Sequence, residues 1–301
     1  MMKDQAQALR HLVARASQLS AEREERAIVS HRQARVIAVT SGKGGVGKSN
    51  FSLNFAIALQ EAGYRALLFD ADIGMANIDV LIGNPASANL FHVINGTKSL
   101  EDIVQIGPKG MHYISGGSGL HELFNLPDNS LESFLIELES WSERYDVILF
   151  DTGAGLSKES LRFIAAADET FVVTTPEPTA IADAYALIKV VHRKAEHTSF
   201  RLIVNRASDW TEGRQTADRI LTVARRFLSL DIAILGYIFD DIHVMKAVKK
   251  QIPYSVLFQD CLASQQIRQL AKAYMNNSQQ QQDSRVKQKV SSWLKRFTSF
   301  K

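Results

Sequence analysis

The sequence predicts an α/β fold with a mostly parallel central sheet and helices on both faces. Three observations point there. Short runs rich in Val, Ile, Leu and Phe alternate along the chain with longer segments of helical period. Those runs are apolar throughout, the pattern of strands buried on both faces. The 301 residues are 46% hydrophobic and 22% charged, an ordinary balance for a chain that builds a packed core.

The elements follow in order. Residues 1–34 form a polar, charged extension with a weak helical pattern from Leu9, Leu12, Val13, Ala16 and Leu19. VIAVT (36–40) reads as a buried strand, and 49–62 as a helix that Gly63 ends. RALLFD (65–70) and MHYIS (111–115) read as strands, and 129–143 as a helix. DVILFD (146–151) is a strongly apolar strand followed by a helix at 156–166. ETFVVTT (169–175), FRLIVN (200–205) and IAILGYIF (232–239) are the remaining strands, with helices at 179–195, 214–228 and 262–275. About seven strands therefore share one domain, residues 35–275. NNSQQQQDS (276–284) has no apolar residue and reads as a Gln-rich flexible linker before a last helical segment, 285–301. There is no internal repeat.

Composition excludes several classes. No run of 18 apolar residues exists, so no membrane-spanning helix is expected. The N-terminal residues lack the apolar stretch of a secretory signal. Cys261 is the sole cysteine, which removes a disulfide framework, a four-Cys zinc site and a single-chain iron–sulfur scaffold; a reducing cytoplasm is expected. The net charge of +3 conceals an asymmetry. Residues 1–35 carry seven Lys/Arg against four Asp/Glu, and 285–301 carry six against none, which leaves 22 against 28 for 36–284. An acidic body with a basic tail argues against a generally basic nucleic-acid binder and makes the tail a special element.

The strongest motif is GKGGVGKS at 42–49, between a predicted strand and a predicted helix. It satisfies G-x-x-x-x-G-K-[ST] in the required context. Gly42, Lys43, Gly44, Gly45, Val46 and Gly47 let successive backbone N–H groups turn toward phosphate oxygens at a helix N-terminus. Lys48 can neutralise β/γ-phosphate charge, and the Ser49 hydroxyl can ligate Mg²⁺. Asp70 and Asp72 follow the second strand, where a carboxylate can hold Mg²⁺ or orient an attacking water. Asp79 is better read as a helix N-cap. Asp151 ends an apolar strand that aims a single carboxylate at Mg²⁺, and Thr152-Gly153-Ala154-Gly155 allows backbone to approach a γ-phosphate.

The early lysine, Lys43, makes the loop K-G-G-x-G-K-S, which resembles the deviant phosphate loop of the MinD/ParA family of ATPases. FDADIGMANID (69–79) resembles the family's second acidic motif. The resemblance implies a P-loop NTPase fold, Mg²⁺-dependent ATP hydrolysis and an ATP-bound homodimer. It implies that Lys43 reaches the partner's phosphates, that Lys48 and Lys43 stabilise phosphate charge, and that Asp72 positions water. Asp70, with Ser49 and Asp151, then supports Mg²⁺. For adenine it implies Asn205 and Arg206, at the end of FRLIVN. GYIFDDIHV resembles the family's G-x-I-P-x-D segment, but Phe239 stands at the proline position, which puts that base contact in doubt.

TTPEPTAIADAYALIK (174–189) and DTGAG (151–155) are most similar to the flagellar-number branch of the family, FlhG (YlxH or FleN). DQAQALR at 4–10 matches that branch's DQAxxLR element. By resemblance Asp4, Gln5, Leu9 and Arg10 would activate the flagellar GTPase FlhF, with the Gln5 amide completing its site; flagellar C-ring switch proteins would be further partners. In 285–301, Val286, Val290, Trp293, Leu294, Phe297 and Phe300 follow one helical stripe ringed by Lys and Arg, the signature of an anchor for an anionic membrane surface. The expectation is a cytoplasmic protein, peripheral to the inner face of the membrane when ATP-bound, with no specific nucleic acid. A MinD-type division regulator, a ParA-type DNA-partitioning ATPase and a scaffold with a degenerate site remain as alternatives.

Overall fold

The structure, a computed structural model, describes residues 34–72, 77–85, 88–116, 141–285 and 296. Asp4, Gln5, Leu9 and Arg10 lie outside the described residues, as do Val286, Val290, Trp293, Leu294, Phe297 and Phe300. So does most of the helix expected over 129–143; Trp141–Glu143 is a 3-10 turn.

Eight strands form one sheet in the order β3-β4-β2-β5-β1-β6-β7-β8. They are β1 (Arg35–Thr40), β2 (Ala66–Ala71), β3 (Gln105–Ile106), β4 (His112–Ile114), β5 (Val147–Thr152), β6 (Glu169–Thr174), β7 (Phe200–Ala207) and β8 (Ala233–Phe239). All pairings are parallel except β3 with β4. The two-residue β3 is the strand the sequence reading lacked, because it is too short to show a period. The helices are α1 (Lys48–Glu61), α2 (Asn77–Ile82), α3 (Leu90–Ile94), α4 (Leu100–Ile103), α5 (Lys158–Ala166), α6 (Pro178–Lys194), α7 (Trp210–Leu228), α8 (Ile242–Lys249), α9 (Tyr254–Leu257) and α10 (Leu262–Arg285). None is long and apolar enough to cross a membrane, among the described residues.

Side chains alternate across each strand, so the sheet divides the core in two. Val36, Ala38, Leu67, Phe69 and Phe150 pack with Leu161, Ile164, Leu187, Val191 and Ile220 of α5, α6 and α7. Ile37, Val39, Leu68, Leu149 and Phe171 pack with Phe51, Phe55, Ile267, Ala271 and Tyr274 of α1 and α10. Helix α7 begins at Trp210, four residues before the expected start at 214, because the Asp209 side chain accepts the Glu212 N–H at 2.9 Å.

Helix α10 differs more. Its backbone stays helical through Arg285, across the 276–284 segment expected as a linker. Gln is a good helix former, and no Gly or Pro interrupts the segment, so a helix already seeded by the packed turns of Ala263, Ile267 and Ala271 propagates. Beyond it, the Arg296 guanidinium donates to the Ala166 carbonyl (3.0 Å) and to Asp168 Oδ1 (2.5 Å). Asp168 Oδ2 accepts the Val36 N–H at 3.0 Å. This contact sits at the N-terminal ends of the parallel strands, opposite the phosphate loop.

Candidate functional site

β1 is flanked by β5 and β6, and the chain crosses away from it in both directions. That switch point is where open α/β sheets form a crevice beyond the strand C-termini. The register places Val39 beside Asp151 and Asp70 beside Asp151, so residues far apart in sequence meet at one sheet edge.

The loop from β1 to α1 takes its shape from glycine. Gly45 and Gly47 have φ of 81° and 88°, in the left-handed region. A Cβ on Gly42 would lie 2.2 Å from the Asp183 carbonyl carbon, so only glycine lets the loop lie against α6. The loop is tied from the far side by Asn205, whose Nδ2 donates to the Val46 carbonyl at 2.8 Å. Asn205, expected at the base, also braces the phosphate loop through this amide nitrogen.

Lys48 is nearly buried, and its Nζ lies 3.0 Å from Oδ1 of fully buried Asp151. The same ammonium is 3.4 Å from Ser49 Oγ. Ser52, one turn along α1, donates to Asp151 Oδ1 at 2.7 Å. No sequence signal marks Ser52, because a serine inside a helix usually bonds its own turn; it also does so here, to Lys48 O at 3.1 Å. Asp151 Oδ2 is buried with no hydrogen-bond partner. An orphaned carboxylate oxygen beside a serine hydroxyl is a hard-oxygen donor set that fits Mg²⁺. No cluster of three His, Cys, Asp or Glu is arranged for a metal among the described residues. Mg²⁺ completes its shell with phosphates and water, so such a cluster is not needed.

Asp70, expected to support the metal, has both carboxyl oxygens engaged by backbone N–H groups. Its Oδ2 accepts the backbone N–H groups of Asn77 (2.9 Å) and Ile78 (3.2 Å), and its Oδ1 that of Asp72 (3.3 Å). Burial, then the neighbouring Asp151, pushes its carboxyl up to about 7. A carboxyl committed to three N–H groups and ionising reluctantly braces the loop after β2 and caps α2, the task expected of Asp79. Asp79 instead accepts from the Ser115 hydroxyl at 2.8 Å.

Asp72 is half-buried and accepts from Asn77 Nδ2 at 3.1 Å. Burial raises its carboxyl, and Lys48 opposes the rise. It faces Gly153: a Cβ there would lie 3.1 Å from Asp72 Oδ1. Lys43 points along the surface of its own chain, with Nζ 2.9 Å from Glu177 Oε2 and 3.0 Å from Thr179 Oγ1 at the start of α6. The Glu177 carboxyl is held below its ordinary range by that hydrogen bond and charge.

A cleft of about 320 Å³ opens beside the loop, lined by Thr175, Pro176, Glu177, Arg206, Glu212 and Asp240. Arg206 has φ 58° at a register shift between Asn205 and Ala207, and its guanidinium lies 3.5 Å from Asp240. Such a bulge re-aims a side chain, here into the cleft. Asp241, at the acidic position of the β8 loop, serves structure: it accepts from the N–H groups of His243 (2.9 Å) and Ala263 (3.2 Å), joining α8 to α10. Burial works against its ionisation, but those bonds hold the carboxyl down at about 2.

A glycine loop at the switch point, a buried lysine, and carboxylates at the ends of two neighbouring strands define a P-loop nucleotide-binding protein. Residues 37–254 match the CobQ/CobB/MinD/ParA nucleotide binding domain, and the chain belongs to that family. It is 41% identical over 216 residues to the antiactivator FleN of Pseudomonas aeruginosa, covering 72% of this chain and 77% of that protein. It is 37% identical over 236 residues to the flagellum site-determining protein YlxH of Helicobacter pylori, covering 78% and 80%. Among solved structures, a chain of the MinC:MinD cell division protein complex of Aquifex aeolicus aligns with TM-score 0.67 at 27% identity, over 81% of this chain and 96% of that one. A Pyrococcus horikoshii MinD complexed with Mg-ADP shares the fold, with TM-score 0.66 at 23% identity over 85% of this chain and all of that one.

Proposed function

We propose that this chain is an ATP-driven switch that controls flagellar number and placement. The observation that carries the chemistry is the buried Lys48–Asp151 pair beside Ser49, at the mouth of the phosphate loop. The likeness to FleN and YlxH supports the flagellar output.

ATP lies with its phosphates in the Gly42–Ser49 loop. Lys48 exchanges its contact with Asp151 for phosphate oxygens, two ionic partners of similar strength. Ser49 and Asp151 Oδ2 are the groups that would hold Mg²⁺, which when bound would supply charge neutralisation to the phosphates. Asp72, aimed by Asn77, orients the attacking water toward the γ-phosphorus. Lys43 leaves Glu177 for the phosphates of a second copy, as an arginine finger does in other NTPases. The ATP state is thus a homodimer, and hydrolysis to ADP and phosphate returns monomers.

Residues 285–301 associate the dimer with anionic membrane. Two weak tails on one dimer act at high effective concentration and raise avidity about 10²–10⁴-fold. Asp4, Gln5, Leu9 and Arg10 engage FlhF, and the Gln5 amide orients water in that GTPase. C-ring switch proteins are the further partners.

The test is GTP turnover by FlhF with and without the full chain and its Gln5→Ala variant. Stimulation that Gln5→Ala abolishes supports the flagellar reading. Absence of stimulation at saturating protein leaves the ATPase standing and favours a MinD-type division regulator.

A further inference from the structure

The donors to the Asp151 carboxylate come from a single helix. Among the described residues, Oδ1 receives Lys48 Nζ at 3.0 Å and Ser52 Oγ at 2.7 Å, and Oδ2 receives none. Asp70, its register partner, is held instead by three backbone N–H groups. The aim of Asp151 therefore depends on two side chains of α1. One of them has to leave, because phosphates in the Gly42–Ser49 loop draw Lys48 away. Asp151 is fully buried, so the donor that stays with it is Ser52. We propose that Ser52 is a positioning residue: it holds Asp151 Oδ1 while Lys48 moves to the phosphates, and so keeps Oδ2 aimed for the Mg²⁺ of a bound nucleotide. This deepens the nucleotide-binding reading above and rests on it.

The geometry suits that task. Ser52 follows Lys48 by four residues, so both side chains lie on one face of α1. Ser52 Oγ is 2.7 Å from Asp151 Oδ1 and 3.1 Å from the Lys48 carbonyl oxygen. A hydroxyl has one proton to donate, and an ionised acceptor holds it more strongly than a carbonyl does. The shorter distance to Asp151 agrees with that choice.

The two donors also differ in reach. Lys48 carries its ammonium on a flexible four-carbon stem and swings readily. The Ser52 hydroxyl sits one rotatable bond from the backbone and is fully buried, so it stays where α1 puts it. The helix is itself fixed. Phe51 stacks on Phe55 at 5.3 Å, and both rings meet Phe171 of β6 edge-on, at 6.4 and 5.8 Å. The terminal torsion of an aspartate is broad. Without Ser52, the Asp151 carboxylate turns once Lys48 departs, and its free oxygen loses its aim. Side chains that orient a metal ligand in this way matter most when the metal binds.

The experiment titrates ADP into the full-length chain by calorimetry, once with Mg²⁺ and once with EDTA. The wild type, Ser52→Ala, Asp151→Asn and the double variant are compared, and urea unfolding shows that each is folded. The wild type is expected to bind ADP more tightly with Mg²⁺ than with EDTA. Ser52→Ala should lose about 10–100-fold of the affinity measured with Mg²⁺ and keep the wild-type affinity in EDTA. In the Asp151→Asn background, Ser52→Ala should remove nothing further. Equal losses with Mg²⁺ and with EDTA would overturn the proposal, since Ser52 would then serve only the folding of the loop and α1. Wild-type affinity in Ser52→Ala under both conditions, or a further loss in the double variant, would overturn it as well. A wild type that binds ADP equally with and without Mg²⁺ would remove the metal from this site and the proposal with it. A wild type that binds no ADP would overturn the nucleotide reading itself.

Discussion

Asp70 and Asp151 are register partners on adjacent parallel strands, both fully buried, yet they have opposite tasks. Asp151 pairs with Lys48 and keeps one oxygen unbonded, whereas Asp70 spends both oxygens on backbone N–H groups. Two carboxyls this close cannot both ionise without cost, and the pair is resolved by giving the lysine to one of them.

A pH dependence follows. The folded-state pKa of Asp70, about 7, lies above the ordinary carboxylate value, so the folded chain retains a proton that the unfolded chain has released. Stability from this group is full below about pH 4 and is lost as pH rises toward 7. Urea unfolding of the nucleotide-free chain at intervals across that window should show the decline, and Asp70→Asn should flatten it.

Removing Lys48 leaves Asp151 buried without its counter-charge. Lys48→Ala should cost about 3 kcal/mol or more of stability and abolish nucleotide binding. Chemical denaturation and calorimetric titration with Mg·ATP check the two effects separately.

Asp72 and Asn77 should separate binding from turnover. Asp72→Asn is expected to lower kcat about 10²–10³-fold while ATP still binds, because it alters the group proposed above to orient water. Asn77→Ala should lower kcat less, since Asp72 loses its aim but keeps its charge. Steady-state turnover and light scattering with ATP measure both, and the first variant should accumulate as dimer.

Gly42 is a packing requirement as much as a loop requirement. Gly42→Ala drives a methyl into the Asp183 carbonyl, so α6 or the loop must shift, at about 1–3 kcal/mol. A fall in both melting temperature and ATP affinity is expected; unchanged values would show that the loop does not lie against α6.

The Arg296–Asp168 ion pair lies at the strand ends opposite the phosphate loop. Asp168→Asn keeps an acceptor for the Val36 N–H but removes the charge, so more of the chain should sediment with anionic vesicles without ATP. Equal sedimentation of variant and wild type would show that this ion pair does not restrain the tail.

The nucleotide loop and the strands were legible from the chain itself. GKGGVGKS constrains its own backbone, and runs such as DVILFD have no low-energy home except a sheet covered on both faces. What the linear pattern could not contain is who meets whom across that sheet. Only register sets Asp70 beside Asp151, and only α6 packing gives Gly42 its neighbour and Lys43 its partner Glu177. The Ser52 contact and the bracing role of Asn205 arise the same way, from elements far apart in sequence. The physical reason is one of range: backbone conformation and burial pattern are decided over a few residues, whereas a carboxyl's ionisation and partners are decided by whatever the fold brings within a few ångströms.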